Sequence, residues 1–504
     1  MKSKRKQIIQ KSIDIVEIID ILVALLEQNL KTNMKLKRIL TLAILGSAFA
    51  GQTVLADDAE ELKALKLQLQ ALDQKVRVLE RKGELDKEAS TEKAKTLPVI
   101  TAGTSGFTIS SADTNYVLSL RGLVQLDNRT FFGDKGINGN DSFVLRRVRP
   151  IFQGTIARDF DFLFVPDFGG STVQIVDAYI NYKYRPWLQI RAGRQKVPVG
   201  LEQLQSDTVT AFNERSIVTD LVPNRDLGVQ LWGDIAGGVL SYSIGVYNGV
   251  GDSRNTANAD FEDDREVAGR LFVQPFKKTK IKPLQGLGFG IGGSYGTSSV
   301  TNLTGLPGTT GGSLPGYSTD GQQQFFAYNP SSGLVAADGV HWRISPQAYY
   351  YYGPFSVLAE YAVSDQPVRK VGTAITADLQ NTAWEITAGW VLTGEDASFA
   401  GVTPRRPFDL KNRGWGAWQL VGRYSELDVD NKAFPLFSNP ASSASAAQSW
   451  SVGLNWYLNK NLLVKTSYSH TDFTGGGTSA SLSSPAAVTR QPEDVWFTRL
   501  QLSF

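Results

Sequence analysis

Segments of about nine to eleven residues in which every second side chain is apolar recur along this chain, and no other feature constrains its fold so tightly. Alternation of period two sends successive side chains to opposite faces of a strand. In Val117–Asp127, Leu118, Leu120, Gly122, Val124 and Leu126 share one face, and Ser119, Arg121, Gln125 and Asp127 share the other. Val173–Tyr182 sets Val176, Ala178, Ile180 and Tyr182 against Asp177, Tyr179 and Asn181. Trp450–Leu458 sets Trp450, Val452, Leu454, Trp456 and Leu458 against Ser451, Gly453, Asn455 and Tyr457. Beyond the N-terminal region no apolar run approaches the roughly 18 residues of a membrane helix. An array of soluble β-sandwiches would alternate too. In lipid, the all-β answer is a closed barrel, because closure satisfies every backbone group.

Phe143–Gly154, FVLRRVRPIFQG, adds charge to this pattern. Val148, Pro150, Phe152, Gly154 and Ile156 fall on one face, and Arg147, Arg149, Gln153 and Thr155 on the other with Ile151 among them. An apolar face and a cationic face suit a wall between lipid and water. A basic strand end that snorkels or pairs with acids at a rim is the alternative. Parity leaves Arg146 needing either a local bulge or a rim position.

The 504 residues carry a net charge of only +3, so bulk charge says nothing about nucleic acid and any electrostatic function is local; no nucleic-acid partner is expected. Cysteine is absent, which excludes disulfides and thiolate-held metals. Only His341 and His470 are available for histidine chemistry, in VHWRIS and YSHTDF. A barrel hydrolase would need one of them beside a serine and an acid or amide, and neither has a motif around it. No enzyme activity, metal or cofactor is expected.

Met34–Ala56 has a basic head, an apolar centre and a Val-Leu-Ala end, the parts of a secretory signal peptide cleaved before Asp57. A start chosen too early accounts for Met1–Asn33, with a cytoplasmic helix as the alternative. Leu62, Leu65, Leu69, Leu72, Val76 and Leu79 then recur at steps of three and four. That heptad seam predicts a self-associating helix over 57–82, or a helix lying on another surface. Residues 83–109 read as a polar linker, and 110–504 as the barrel. Gly286, Gly288, Gly290 and Gly292 alternate with apolar residues, which reads as a strand with one bare face rather than a dinucleotide loop. The Gly/Ser/Thr/Asn stretches Thr297–Gln324 and Pro435–Gln448 suit extracellular loops, with short connections as periplasmic turns. The chain ends in VWFTRLQLSF, an amphipathic strand closed by Phe504 that resembles the terminal signal of bacterial outer-membrane barrels.

FVLRRVRPIFQGTIARDFDF followed by PDFGG, then VQIVDAYINY, IRAGRQKVPVGLEQLQS, NRDLGVQLWGD, YSIGVYNGV, VAGRLFVQPF, SPQAYYYYGPFSVLAEY, GWGAWQLVGRYSELDVD and VGLNWYLN resemble, in order, the phosphate-selective porin O/P family. The likeness covers Ser110–Phe504. It implies an all-β transmembrane antiparallel barrel of about 16 strands, in the outer membrane of a Gram-negative bacterium, trimeric, with an inward-folded third loop and an arginine-lined pore for phosphate or pyrophosphate. It assigns Arg146 and Arg147 to the central anion site, Asp177 to the acidic partner that orients it, and Arg215 to the arginine of the constriction loop. Two departures follow. Asp207-Thr208 stands where selective members carry Ser-Lys, which points toward a weakly selective general pore. Arg149 stands where well-studied members have an aromatic ring, which restores positive field. Arginine suits the task on physical grounds, since its planar fork stays charged at any pH.

Overall fold

The computed structural model describes residues 58–133, 139–170, 172–255, 264–299, 314–328, 333–477 and 488–504. The predicted signal peptide and the stretch upstream of it lie outside these residues. Among the described residues, sixteen antiparallel strands close into a barrel, within a sheet of nineteen that also holds three short flanking strands. The first eight are β1 (Val117–Phe132), β2 (Ser142–Ile156), β3 (Phe160–Asp167), β4 (Gln174–Arg185), β5 (Leu188–Lys196), β6 (Arg225–Ile235), β7 (Leu240–Tyr247) and β8 (Glu266–Val273). The second eight are β9 (Leu287–Ser299), β10 (Val335–Tyr352), β11 (Phe355–Lys370), β12 (Thr376–Val391), β13 (Ala417–Asp428), β14 (Ala444–Tyr457), β15 (Leu462–Gly477) and β16 (Glu493–Ser503). Each pairs with its sequence neighbours. The sheet closes where β16 pairs with β1, Leu500 opposite Leu126 and Arg499 opposite Asp127.

The predicted faces hold through most of the wall. Leu118, Leu120, Val124 and Leu126 are exposed on the outside, as are Trp496, Leu500 and Leu502 of the last strand. Arg499 is buried at the seam, where its Nε and Nη2 reach the Asp127 carboxylate at 2.6 and 2.7 Å. Phe504 exchanges backbone hydrogen bonds with Gly122, and its ring lies where a side chain at 122 would be, so a larger residue there would displace the ring. Outward aromatics gather near both rims, as lipid-facing barrels place them: Trp450 with Tyr468 near one end, Trp418 with Trp456 near the other. Connections at the end bearing the C-terminus are short, 157–159, 186–187, 353–354 and 458–461, and mark the periplasmic side. Two at that end, 274–286 and 392–416, are longer than the sequence suggested.

The long loops are less free than their composition predicts. From Thr297–Gln324 and the residues after it, Gly316–Ser318 and Gln324–Ala327 form a hairpin. Its Tyr317, Phe325 and Phe326 are buried in one apolar cluster with Ile217 and Leu221 of the loop after β5, and with Ala362, Leu379 and Phe473 from the wall. Phe437, within Pro435–Gln448, joins the same cluster, and Ala444–Gln448 already belongs to β14.

The helix spans Asp58–Thr96, well past Gly83, where a linker was expected. Glu, Lys and Ala carry it onward, a lone glycine costing only about 1 kcal/mol, until Pro98 disfavours helix at the residue before it. Leu65, Leu69, Leu72, Val76 and Leu79 are all exposed. The rest of the expected linker contains a second hairpin, Val99–Gly103 with Gly106–Ser110. Its inner strand pairs with the start of β1, Ile109 opposite Leu118.

Candidate functional site

Between β1 and β2 the register slips: Gln125 faces Arg147 and Leu126 faces Leu145, so Arg146 is the extra residue of a bulge. A bulge lets neighbouring residues face the same way, and Arg146, Arg147 and Arg149 all turn inward. Gly169 of PDFGG crosses this bulge so closely that a Cβ there would lie 2.8 Å from the Arg146 carbonyl oxygen and the Arg147 Cα. Asp167 steadies the crossing, accepting the Val148 and Gly169 N–H groups at 3.0 and 2.9 Å and Arg149 Nε at 2.6 Å. A second slip, between β3 and β4, leaves Val176 unpaired beside Asp177. Val176 therefore leaves the outer face predicted for it and lines a cavity inside the barrel, beside Arg146 and Arg147.

The loop 197–224 folds into the lumen, held by the opposite wall. The N–H groups of Leu201 and Glu202 meet the Glu360 carboxylate of β11 at 2.9–3.0 Å. Asn455 donates to the Ala211 carbonyl at 2.8 Å, Lys465 to those of Thr210 and Phe212, and Arg423 to that of Glu214 at 3.1 Å. Gln125 and Gln501 hold the carbonyls of Asp207 and Thr208 at 3.0 and 2.8 Å. The bare face of β9 serves this loop: a Cβ on Gly292 would lie 2.8 Å from Val199 Cα. The loop is thereby fastened against β9–β16 and β1, and open space remains toward β2–β8.

There the side chains form one continuous ionic network of seven guanidinium groups and five carboxylates. Arg146 pairs with Glu214 at 2.7 Å, and Arg129 and Arg147 lie 3.8 and 3.9 Å from it. Arg499 joins Glu214 at 3.0 Å to Asp127. Asp207 is shared by Arg215 at 2.6 Å, Arg147 at 3.4 Å, Arg225 at 4.0 Å and Arg149. Arg149 continues to Asp167, and Arg225 to Asp177 at 3.0 Å. Burial pushes the carboxyl groups of Asp207 and Glu214 upward, but the surrounding arginines win and hold both well below the usual carboxylate range. Both are therefore anions across physiological pH. An outer cavity of about 430 Å³ touches Arg146, Arg147 and Arg215, and an inner one of about 570 Å³ touches Arg121, Arg191 and Thr208. Arg149, Asp207 and Arg225 line both, so these three form the septum of the pore.

Of the residues singled out from sequence, Arg146, Arg147, Arg149, Arg215 and Asp207 meet at this network, Arg146 by way of the bulge. Thr208 lies beside it in the inner cavity, its hydroxyl 2.9 Å from that of Ser206. Asp177 belongs to the same network: it accepts Arg225 Nε and Nη2 at 3.0 and 3.3 Å, and through Arg225 and the shared Asp207 carboxylate it connects to Arg147. The carboxylates that hold Arg146 and Arg147 are Glu214 and Asp207. Glu214, Asp167, Arg225 and Arg499 were not anticipated; the acid beside Arg215 in FNERS was the available signal. His341 is buried, with one nitrogen, Nε2, 3.0 Å from Ser364 Oγ and 3.4 Å from Asp252, while Ser364 itself donates to Asp252 at 2.7 Å. A catalytic relay needs the two ring nitrogens to serve serine and acid separately. His470 joins Asp494 and Asp472 at 2.6 and 3.2 Å.

The family profile described as phosphate-selective porin O and P matches residues 118–503. No curated protein sequence matches. Among solved structures the chain is similar to an anion-selective porin from Comamonas acidovorans, at 12% identity over 77% of this chain and 100% of that one, TM-score 0.47. It is also similar to the outer membrane channel DcaP of Acinetobacter baumannii, at 10% identity over 80% and 99%, TM-score 0.48. A third is OmpT, an outer membrane protein of Vibrio cholerae, at 8% identity over 77% and 98%, TM-score 0.45.

Proposed function

The chain belongs to the phosphate-selective porin O and P family and forms an outer-membrane channel, and we propose that this channel is anion-selective and passes phosphate or pyrophosphate. The observation that carries the reading is the surplus of guanidinium over carboxylate in the network at the septum. A low-dielectric wall focuses that surplus into the lumen. A permeating oxyanion exchanges hydration for donors in series, bound firmly enough to enter and loosely enough to leave. Arg146, Arg147, Arg149 and Arg215 supply the donors, with Arg225 beside them.

Asp207 supports a second reading, a weakly selective general pore. Its carboxylate occupies the place among four guanidiniums that a permeating anion would seek. Reversal potentials of single channels in a potassium chloride gradient separate the two, because only a selective pore shifts strongly toward the chloride potential. Arg147→Ala should weaken phosphate block of chloride current by about 1–3 kcal/mol. If neither the reversal potential nor the block responds, the arginines do not select and the general-pore reading stands. We further propose a homotrimer, reinforced by self-association of the Leu62–Leu79 seam.

A further inference from the structure

A pore wall for inorganic ions gains from polar side chains, yet the lumen below the septum carries an apolar stripe. Leu123, Ile151, Leu163 and Val165, from β1, β2 and β3, all line the inner cavity. They occupy the inward positions: Leu123 faces Arg149, Ile151 faces Arg121, Leu163 faces Tyr179 and Val165 faces Asp177 across the ladder. Tyr179 and Trp232 extend the stripe, with the Arg191 guanidinium 4.4 and 4.8 Å from their ring centres. Arg121, Arg191 and Arg270 line the same cavity, and among the described residues none of the three makes an ion pair. The Nε of Arg121 and of Arg191 is buried without a hydrogen-bond partner.

An apolar wall gives a hydrated inorganic ion nothing in exchange for lost water, whereas it favours a ligand with apolar surface to bury. Unpaired guanidiniums beside it would hold that ligand's charge. The cavity, about 570 Å³, falls within the size range of small-molecule sites. We infer that the inner vestibule is a subsite for organic oxyanions, an anionic head on Arg121 or Arg191 and an aromatic or branched body on the Leu123–Ile151–Leu163–Val165 stripe. This deepens the anion-selective reading and rests on it.

The test compares phenyl phosphate with inorganic phosphate as blockers of chloride current through the purified channel in planar bilayers, added on the periplasmic side. Phenyl phosphate should half-block at a concentration roughly three- to tenfold lower, the effect of covering one ring face. Leu163→Gln, and separately Ile151→Thr, should bring the ratio of the two half-blocking concentrations toward one. Equal block by the two anions in an anion-selective pore overturns the subsite and leaves the selectivity reading intact. A ratio that survives in both variants also overturns it, because the preference then arises elsewhere. A channel with no anion preference in the chloride gradient overturns the reading beneath it instead.

Discussion

Replacing Asp207 by asparagine removes one negative charge and keeps the shape of the septum. The carboxylate lies 2.6 Å from Arg215, 3.4 Å from Arg147 and 4.0 Å from Arg225, with Arg149 in direct contact. At an effective dielectric of about 20, each pair near 4 Å corresponds to about 4 kcal/mol of attraction. A mobile oxyanion inherits only part of this, since it must shed water and competes with Asp167, Asp177 and Glu214 for the same forks. A net gain of about 1–3 kcal/mol in phosphate binding is expected, or roughly 5- to 150-fold in affinity. Titrating chloride conductance with phosphate should show the half-blocking concentration falling by that factor. Acid should not imitate the substitution. The folded-state carboxyl is held well below its unfolded value, so the stability it contributes is present above the unfolded value and is lost only as pH falls through the lower, folded one. Between neutral pH and about pH 5, phosphate block should therefore change only as phosphate itself titrates. Unchanged or weaker block in Asp207→Asn would refute the idea that this carboxylate competes with the solute.

Glu360→Gln should loosen the constriction loop, because its charge accepts the N–H groups of Leu201 and Glu202; a loss of about 1.5–3 kcal/mol is expected, seen as added current noise and gating steps at unchanged barrel melting. Deleting Glu61–Glu80 should leave the barrel folded and lower the temperature at which trimers dissociate in detergent by about 5 °C or more. Leu65, Leu69, Leu72, Val76 and Leu79 are exposed on this helix and free to meet a second copy, so unchanged dissociation would count against an oligomerising helix.

The barrel was legible because lipid and water impose opposite demands on alternate residues, and the pattern repeats through most of the wall. What alternation cannot show is where it slips. Arg146 and Val176 each follow from one extra residue, and parity alone put the first in doubt and the second on the wrong face. The hairpin Gly316–Ala327 was hidden by the Gly/Ser/Thr composition around it. Yet Asp320-Gly321 lies between Tyr317 and Phe325-Phe326, a turn signal flanked by aromatics. Glu214 was missed because its role exists only once the loop crosses the lumen.

The two cavities and their septum give the proposed selectivity a direction along the pore. An anion arriving from outside meets Arg146 first, the most exposed guanidinium of the network's ion pairs at 30%. Next it faces Arg149 and Arg225, whose forks are already engaged by Asp167, Asp177 and Asp207. Each can turn toward the solute only by yielding part of an existing pair. The carboxylates thus keep every step close to an exchange between equals, whereas bare arginines would hold a phosphate too long to conduct it. Below the septum Arg121 and Arg191 have, among the described residues, no carboxylate partner to give up, so an anion there meets their charge against the cost of its own desolvation, and the neighbouring apolar stripe decides which anions linger. On this reading the carboxylates govern how fast an anion passes the septum, and the residues below it govern which anion is preferred.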